Sequence, residues 1–423
     1  MSLSDVNTNV RSFPVISASS SEIPQSCLSS NAPRPMQSRI GMKQVLSQTG
    51  SQTSNGTLLF PLGCGAGQGF LKAGSVYLAG TINVTQGANT WSFNLSGGAD
   101  AIILRSTVYV NGAIAEQTQN YNRIGQVLDQ HCSTSGYVQN DLLALSLKGV
   151  VGRVGATNYN FVVPLKNGVL NAQHDIPLFL CNTLQIELNL ESVANAIYSI
   201  TTSATEFTIS NARLIYSVFF PEAEYENSMR AVLASGKLWQ CPVKSWYNIT
   251  VSNSSGATKS QAIGLNMSSV LGVFHFTQDA GATTVPHYAT GDTPAGQGLR
   301  VFTDGNLVNS FAILEDGVIF AEMKRALGCL GDPERSSIGV TATADANALV
   351  PANLTLNNYR VNAFLGGVSL MKTFESGFSM AGSAVSQMVV EVTNAGSAGN
   401  LYICTAYQQI MTLDAMGNLQ MIR

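Results

Sequence analysis

Four histidines, at positions 131, 174, 275 and 287, are the side chains best suited to proton transfer or metal binding near neutral pH. They are far apart, and no two have the spacing that places a zinc pair on one helix face or strand face. His174-Asp175 has the form of half an acid–base pair, but it precedes Ile176-Pro177 in a loop and no nucleophile is placed for it. His275, inside the apolar run Val270–Phe276, reads as a satisfied core or interface residue. Gly377-Phe378-Ser379-Met380-Ala381 approaches the elbow that presents a nucleophilic serine, yet that chemistry needs a histidine later in the chain, and none follows His287. The stretch Gly63 to Gly69 alternates glycine with Cys64, Ala66 and Gln68, like a loop that cradles phosphate. It lacks the Lys-Ser/Thr of such loops and reads instead as a hinge between an N-terminal arm and the first ordered domain. Glu222, Glu224 and Glu226 are accounted for as a helix start. Trp239, Trp246 and Tyr247 could form a sugar-stacking platform; on an alternating strand, Trp239 and Tyr247 face the core and Trp246 the opposite side. No catalytic, cofactor-binding or metal-ligating residue is nominated, and the expectation is a protein that is not an enzyme.

The 423-residue chain carries only 11% charged residues against 45% hydrophobic ones, while Ser, Thr, Asn and Gly are abundant. A surface that is polar but uncharged suits a subunit that buries its flanks against neighbours, because each buried charge would carry a desolvation cost. The net charge of −3 argues against direct nucleic-acid binding, which needs clustered Lys and Arg, and residues 1–58 form no basic arm. Seven dispersed cysteines without a Cys-x-x-Cys pair read as free thiols from a reducing compartment. The start, MSLSDVNTNV, has neither the basic nor the apolar region of a signal peptide. Seven Asn-x-Ser/Thr sequons, at Asn55, Asn83, Asn94, Asn248, Asn253, Asn266 and Asn353, follow from the composition rather than from export.

The elements must be mostly strands. Residues 1–58, rich in Ser, Asn, Gln and Pro, read as an extended arm with a short helix near Met36 to Leu46. From about residue 70 the period is two. Val76, Leu78, Gly80, Ile82 and Val84 share one parity; Ile102, Leu104, Val108 and Val110 repeat the pattern into an Asn111-Gly112 turn; Leu184–Leu190 alternates cleanly. Phe207 and Ile209 then change parity to Leu214, Tyr216, Val218 and Phe220, which implies a bulge near Asn211. A helix over 221–236, with Pro221 at its first position and Gly236 at its end, divides two strand-rich halves. Smaller helices are expected over 120–130 and 318–327, one in each half. The endings of the halves, Leu184–Phe220 and Met388–Asp414, share a strand, loop, strand layout that suggests duplication. The pattern indicates an all-β chain of two tandem sandwiches.

The stretch Val163 to Glu191, VPLKNGVLNAQHDIPLFLCNTLQIELNLE, with Phe207–Phe220 and the Pro221-Glu-Ala-Glu-Tyr225 exit helix, resembles double jelly-roll major capsid proteins, most closely those of polinton-like viruses and virophages. The resemblance implies two eight-stranded jelly rolls, over 59–220 and 238–423, behind an arm (1–58) and joined by a helix (221–237). It further implies a virion protein assembled inside the host cell as a homotrimeric, pseudo-hexameric capsomer. Its partners would be neighbouring capsomers, penton and minor capsid proteins, and an internal membrane met through the arm. The loop from Asp279 to Gly298 is the candidate for an outer tower. Three other readings stay open: a single jelly-roll shell protein with a protruding domain, a β-sandwich carbohydrate-binding or adhesive protein, and a β-sandwich hydrolase.

Overall fold

A computed structural model describes residues 39–422 apart from 86–89, 94–97, 133–144, 148–152, 199–203, 265–266, 268, 280–297, 304, 309–315, 331–340, 343–348, 351–363, 372–387 and 396–397. The first half contains eight principal strands: β1 (Arg39–Leu46), β2 (Thr57–Leu62), β3 (Tyr77–Thr85), β4 (Ile103–Val110), β5 (Ala113–Gln119), β6 (Asn158–Pro164), β7 (Leu184–Leu190) and β8 (Glu206–Phe220). They pair antiparallel in two sheets, β1-β8-β3-β6 and β2-β7-β4-β5. The second half contains β9 (Trp239–Asn253), β10 (Ala257–Ile263), β11 (Ser269–Asp279), β12 (Gly298–Thr303), β13 (Asn306–Leu307), β14 (Gly366–Ser369), β15 (Met388–Ala395) and β16 (Gly399–Leu413). Its sheets are β9-β16-β11-β14 and β10-β15-β12-β13, the same order with every number raised by eight.

Alternation creates these strands. In β7 the buried Leu184, Ile186, Leu188 and Leu190 alternate with half-exposed Gln185, Glu187 and Asn189, so one face enters the core and the other meets water. Leu58, Phe60 and Leu62 of β2 and Leu78, Ile82 and Val84 of β3 complete the first core with Phe161, Phe207, Leu214 and Val218. The parity change in β8 is a bulge: the pairing with β3 shifts between Ser210 and Arg213, and Asn211 takes a left-handed φ of 51°. That extra residue keeps Phe207 and Ile209 as well as Leu214, Tyr216 and Val218 inside. Asn111 and Gly112 both have positive φ, 53° and 79°, as a two-residue hairpin turn between β4 and β5 requires. Leu104, expected in the core, is only half-buried because the β4–β7 register slips opposite Leu190.

Three helices follow the strand plan: α1 (Tyr121–Cys132), α2 (Ala223–Ala234) and α3 (Asp316–Leu327). α1 follows β5, α3 follows β13, and α2 joins the halves, so the helices repeat with the strands. In α2, Glu222 rather than Pro221 occupies the cap position, Met229 and Leu233 are buried, and Gly236 takes a φ of +90° beyond the end.

The expected helix over Met36 to Leu46 is overturned. From Arg39 this segment is strand β1, paired residue for residue with β8 from Arg39↔Phe220 to Leu46↔Arg213. The backbone edge of β8 supplies a ladder that outweighs the weak helical tendency of a short segment. The Gly63–Gly69 loop is likewise no hinge to an arm, because β1 and β2 precede it within the first sandwich. It links β2 to Phe70–Leu71, and at Gly69 (φ +70°) a Cβ would lie 2.2 Å from the Phe219 carbonyl oxygen.

The two cores interlock. Trp239, Cys241 and Val243 at the start of β9, with Met411 and Leu413 at the end of β16, pack into the first core, while Ile124 of α1 packs into the second.

Candidate functional site

Among the described residues, ionisable groups that meet inside the molecule are used to hold elements together. Lys166 Nζ donates to Asp129 Oδ2 at 2.7 Å, Asp100 Oδ2 at 3.1 Å and the Gly125 carbonyl at 3.1 Å, while its backbone N–H donates to the Tyr121 hydroxyl. Burial would lower the lysine's pKa, but the two carboxylates outweigh it and hold the ammonium charged. This pins α1 to the strand that ends at Pro164. Arg123 Nη1 donates to Glu191 Oε2 at 3.0 Å, and Asn122 Nδ2 donates to the same oxygen at 3.2 Å. Burial alone would raise the Glu191 pKa; Arg123 and donors from Ser192 and Asn195 reverse this and hold it low. The Arg123 guanidinium also lies over the Tyr402 ring of the second roll, 5.2 Å from its centroid. Both networks are structural pins.

A third buried group lies on the seam between the halves. Glu116 of β5 accepts the backbone N–H groups of Gly168 and Val169 at 3.0 and 2.8 Å and is hydrogen-bonded with Ser245 of β9 and Thr118. Burial pushes its pKa up to about 7, against the opposing pull of those donors. Beside it, Gln409 Nε2 donates to Ser245 Oγ at 2.8 Å.

The residues singled out by their chemistry do not converge. His174 is exposed, and Asp175 accepts the Ala73 N–H at 2.9 Å, a loop contact. His275 is buried beside Phe364, and burial lowers its pKa to about 3, so it is neutral; its Nδ1 lacks a partner among the described residues, unlike the satisfied residue expected. A Cβ at Gly366 would lie 2.1 Å from His275 Nε2, so packing fixes the ring. His287, Gly377–Ala381, Cys27 and the tower-loop interior lie outside the described residues. No group of three His, Cys, Asp or Glu among the described residues could hold a metal ion. Trp239 and Trp246 are both buried, against different cores, whereas Tyr247 is only half-buried. Tyr247 packs against the second core only partly buried, and the expectation for Trp246 is corrected: the β9 burial parity changes at Ser245–Trp246, so Trp246 is buried in that core, 5.6 Å from Phe274. These aromatics form no sugar platform. Asn248 and Asn253 are buried in β9, as glycan acceptors would not be. The six described cysteines are free thiols, Cys64 and Cys132 half-buried and the others buried.

What the molecule presents outward is an apolar edge. On β1, Ile40, Met42 and Leu46 are 65%, 75% and 62% exposed, and they share one face with Gln44. The register carries that face across the sheet: Ile40 lies opposite Phe219, Gln44 opposite Ile215, and Ile215 opposite Tyr77, all three partners half-buried. Of the eight β8-facing positions on β1, the exposed-face row meets one charge, Arg213 opposite Leu46. Among the described residues β1 has a strand partner only on its β8 side, which leaves its other backbone edge unpaired.

Comparison with known proteins rests on structure. No protein-family model matches the sequence, and no curated protein matches it. Solved structures do. The PBCV-1 virus capsid protein superposes with a TM-score of 0.61 at 11% identity, covering 92% of this chain and 98% of that one. The Faustovirus major capsid protein gives 0.60 at 10% identity over 100% and 94% of the two chains, and the mavirus major capsid protein 0.51 at 13% over 94% of each. Together with the strand order repeated in both halves, this decides the architecture. The fold is a double jelly roll. In a double jelly roll the repeat is one sandwich with its own two sheets, and here eight principal strands of each roll, among the described residues, recur in the same order. The exposed β1 edge belongs to the first roll, and the seam that holds Glu116 lies between the rolls.

Proposed function

We propose that this chain is the major capsid protein of an icosahedral virus, acting by shape rather than by chemistry. Three copies would close into a capsomer whose six sandwiches give a nearly hexagonal outline. The observation that carries the reading is the pair of equivalent rolls in one chain, each with the same strand order. Two similar rolls per subunit allow a threefold ring to present six similar flanks, which a lattice of sixfold packing requires. The apolar, nearly uncharged β1 face supports it, because an exposed row of Ile40, Met42 and Leu46 on an unpaired strand edge suits burial against another subunit.

On this reading residues 1–38 are the arm, 39–220 the first roll, 221–237 the connection and 238–423 the second roll. The arm would contact neighbouring capsomers or an internal membrane, and separate penton and minor capsid proteins would complete the shell. Light scattering on the purified chain tests it. A mass of about 134 kDa, three times the 44.7 kDa chain, is expected; a stable monomer at micromolar concentration contradicts it.

A further inference from the structure

Two thiols that are distant in sequence meet where the rolls touch. Cys132 is the last residue of α1 in the first roll, and Cys329 follows α3 in the second. The turn after α3 fixes Cys329: Gly328 takes a φ of +74°, its N–H donates to the Arg325 carbonyl at 3.0 Å, and the Cys329 N–H donates to the Lys324 carbonyl at 2.9 Å. That pair of bonds is the glycine-closed helix ending in which the two residues past the cap are held rigidly. The α3 end is docked on the α1 end through one acceptor. The His131 carbonyl, near the α1 terminus, receives Lys324 Nζ at 2.7 Å and Cys329 Sγ at 3.4 Å. The Cys132 and Cys329 thiols are hydrogen-bonded to each other.

We propose that Cys132 and Cys329 form a disulfide that joins the first roll to the second when the chain meets a small-molecule disulfide oxidant. With oxidised glutathione, one protein thiolate attacks a glutathione sulfur and releases one glutathione as its thiolate. The second protein thiol gives up its proton and displaces the other glutathione from the mixed disulfide. The two released glutathiones carry away the two protons and two electrons, and one protein S–S bond remains. The bond would close a loop of about 200 residues, the class of crosslink that restricts an unfolded chain most.

Contact with Cys329, then burial, pushes the Cys132 thiol well above the ordinary thiol range, although Lys244 and Lys324 oppose the shift. Little thiolate is present at neutral pH, so the pair closes slowly there and faster in mild alkali. Cys64 and Cys181 supply an internal control. The charge of Cys64 raises the Cys181 pKa alongside burial, but both thiols belong to the first roll, so a bond between them would not join the rolls. On the capsid reading the pair is a lock that closes after particles leave a reducing cell interior. Its chemistry is tested on the isolated chain and stands or falls without that reading.

The experiment is non-reducing peptide mapping of the full-length chain after incubation with oxidised glutathione at pH 8.5. The expected product is one intrachain crosslinked peptide pair containing Cys132 and Cys329. With it comes a rise in thermal midpoint of about 5 °C over the reduced protein. Cys132→Ser should abolish both the crosslink and the oxidation-dependent rise. The inference is overturned if the folded wild-type chain keeps both thiols alkylatable, or if either pairs with a different cysteine. Should the variant fail to fold, alkylation of the wild-type protein alone distinguishes these outcomes.

Discussion

Replacing Glu116 with Gln should remove a specific part of the protein's pH dependence. The carboxyl is buried on the seam between the rolls and accepts the Gly168 and Val169 N–H groups, with Ser245 and Thr118 as its other hydrogen-bond partners. Burial raises its pKa from 4.5 to about 7. Because the folded-state value lies above the unfolded one, the native protein holds this proton more tightly than the unfolded chain does. Stability from this group is therefore full below about pH 4.5, falls as pH rises through 7, and is flat above. A shift of this size corresponds to about 3 kcal/mol at 1.36 kcal/mol per pH unit. With an unfolding entropy of roughly 0.9 kcal/mol per kelvin for 423 residues, the thermal midpoint should move by about 3–4 °C. The amide cannot ionise, and its NH2 cannot accept one of the two backbone donors, so Glu116→Gln should melt below wild type at pH 5. Differential scanning calorimetry of both proteins at pH 5.0 and 8.5 reads the effect, because the other titrating groups cancel in the difference. Wild type should lose its advantage by about 3 °C between the two pH values, because at pH 5.0 the unfolded carboxyl is already partly ionised. A difference that does not change with pH refutes the reasoning, since it would mean that this carboxyl ionises as readily folded as unfolded.

The same seam predicts that Gly168→Ala is poorly tolerated, because a Cβ there would lie 1.7 Å from the Lys244 carbonyl oxygen and the obstacle is backbone. A loss of about 1–3 kcal/mol is expected, visible as a lower urea midpoint. On the outer edge, the double substitution Ile40→Glu and Met42→Glu should leave the monomer's melting within about 1 °C of wild type, since both side chains are exposed. It should abolish the trimer in size-exclusion chromatography with light scattering; an unchanged trimer would remove β1 from the interface.

The first roll was largely legible in the sequence because its central strands alternate strictly. Leu184–Leu190, the Val76–Val84 parity set, the Asn111-Gly112 turn and the Asn211 bulge each carry a local signature that needs no tertiary information. The three helices were legible for the same reason. β1 was not, because its apolar residues face outward: Ile40, Met42 and Leu46 show no core-directed pattern, and the strand exists only through the β8 edge 167 to 181 residues later. The second roll was legible at β9, β11, β15 and β16. The two-residue β13 and the four-residue β14 are too short to show a period. The burial of Trp246 was not legible because β9 passes from the first core to the second along its length, a tertiary fact. Glu116, Arg123 and Glu191 carried no sequence signal as a seam, since their partners are dispersed through both rolls and nothing in their spacing brings them together.

Single-particle imaging of the purified full-length chain tests the central claim most directly. The predicted result is a threefold particle of near-hexagonal outline in which each subunit contributes two adjacent sandwiches. Monomers, or rings built on any other symmetry, would contradict it.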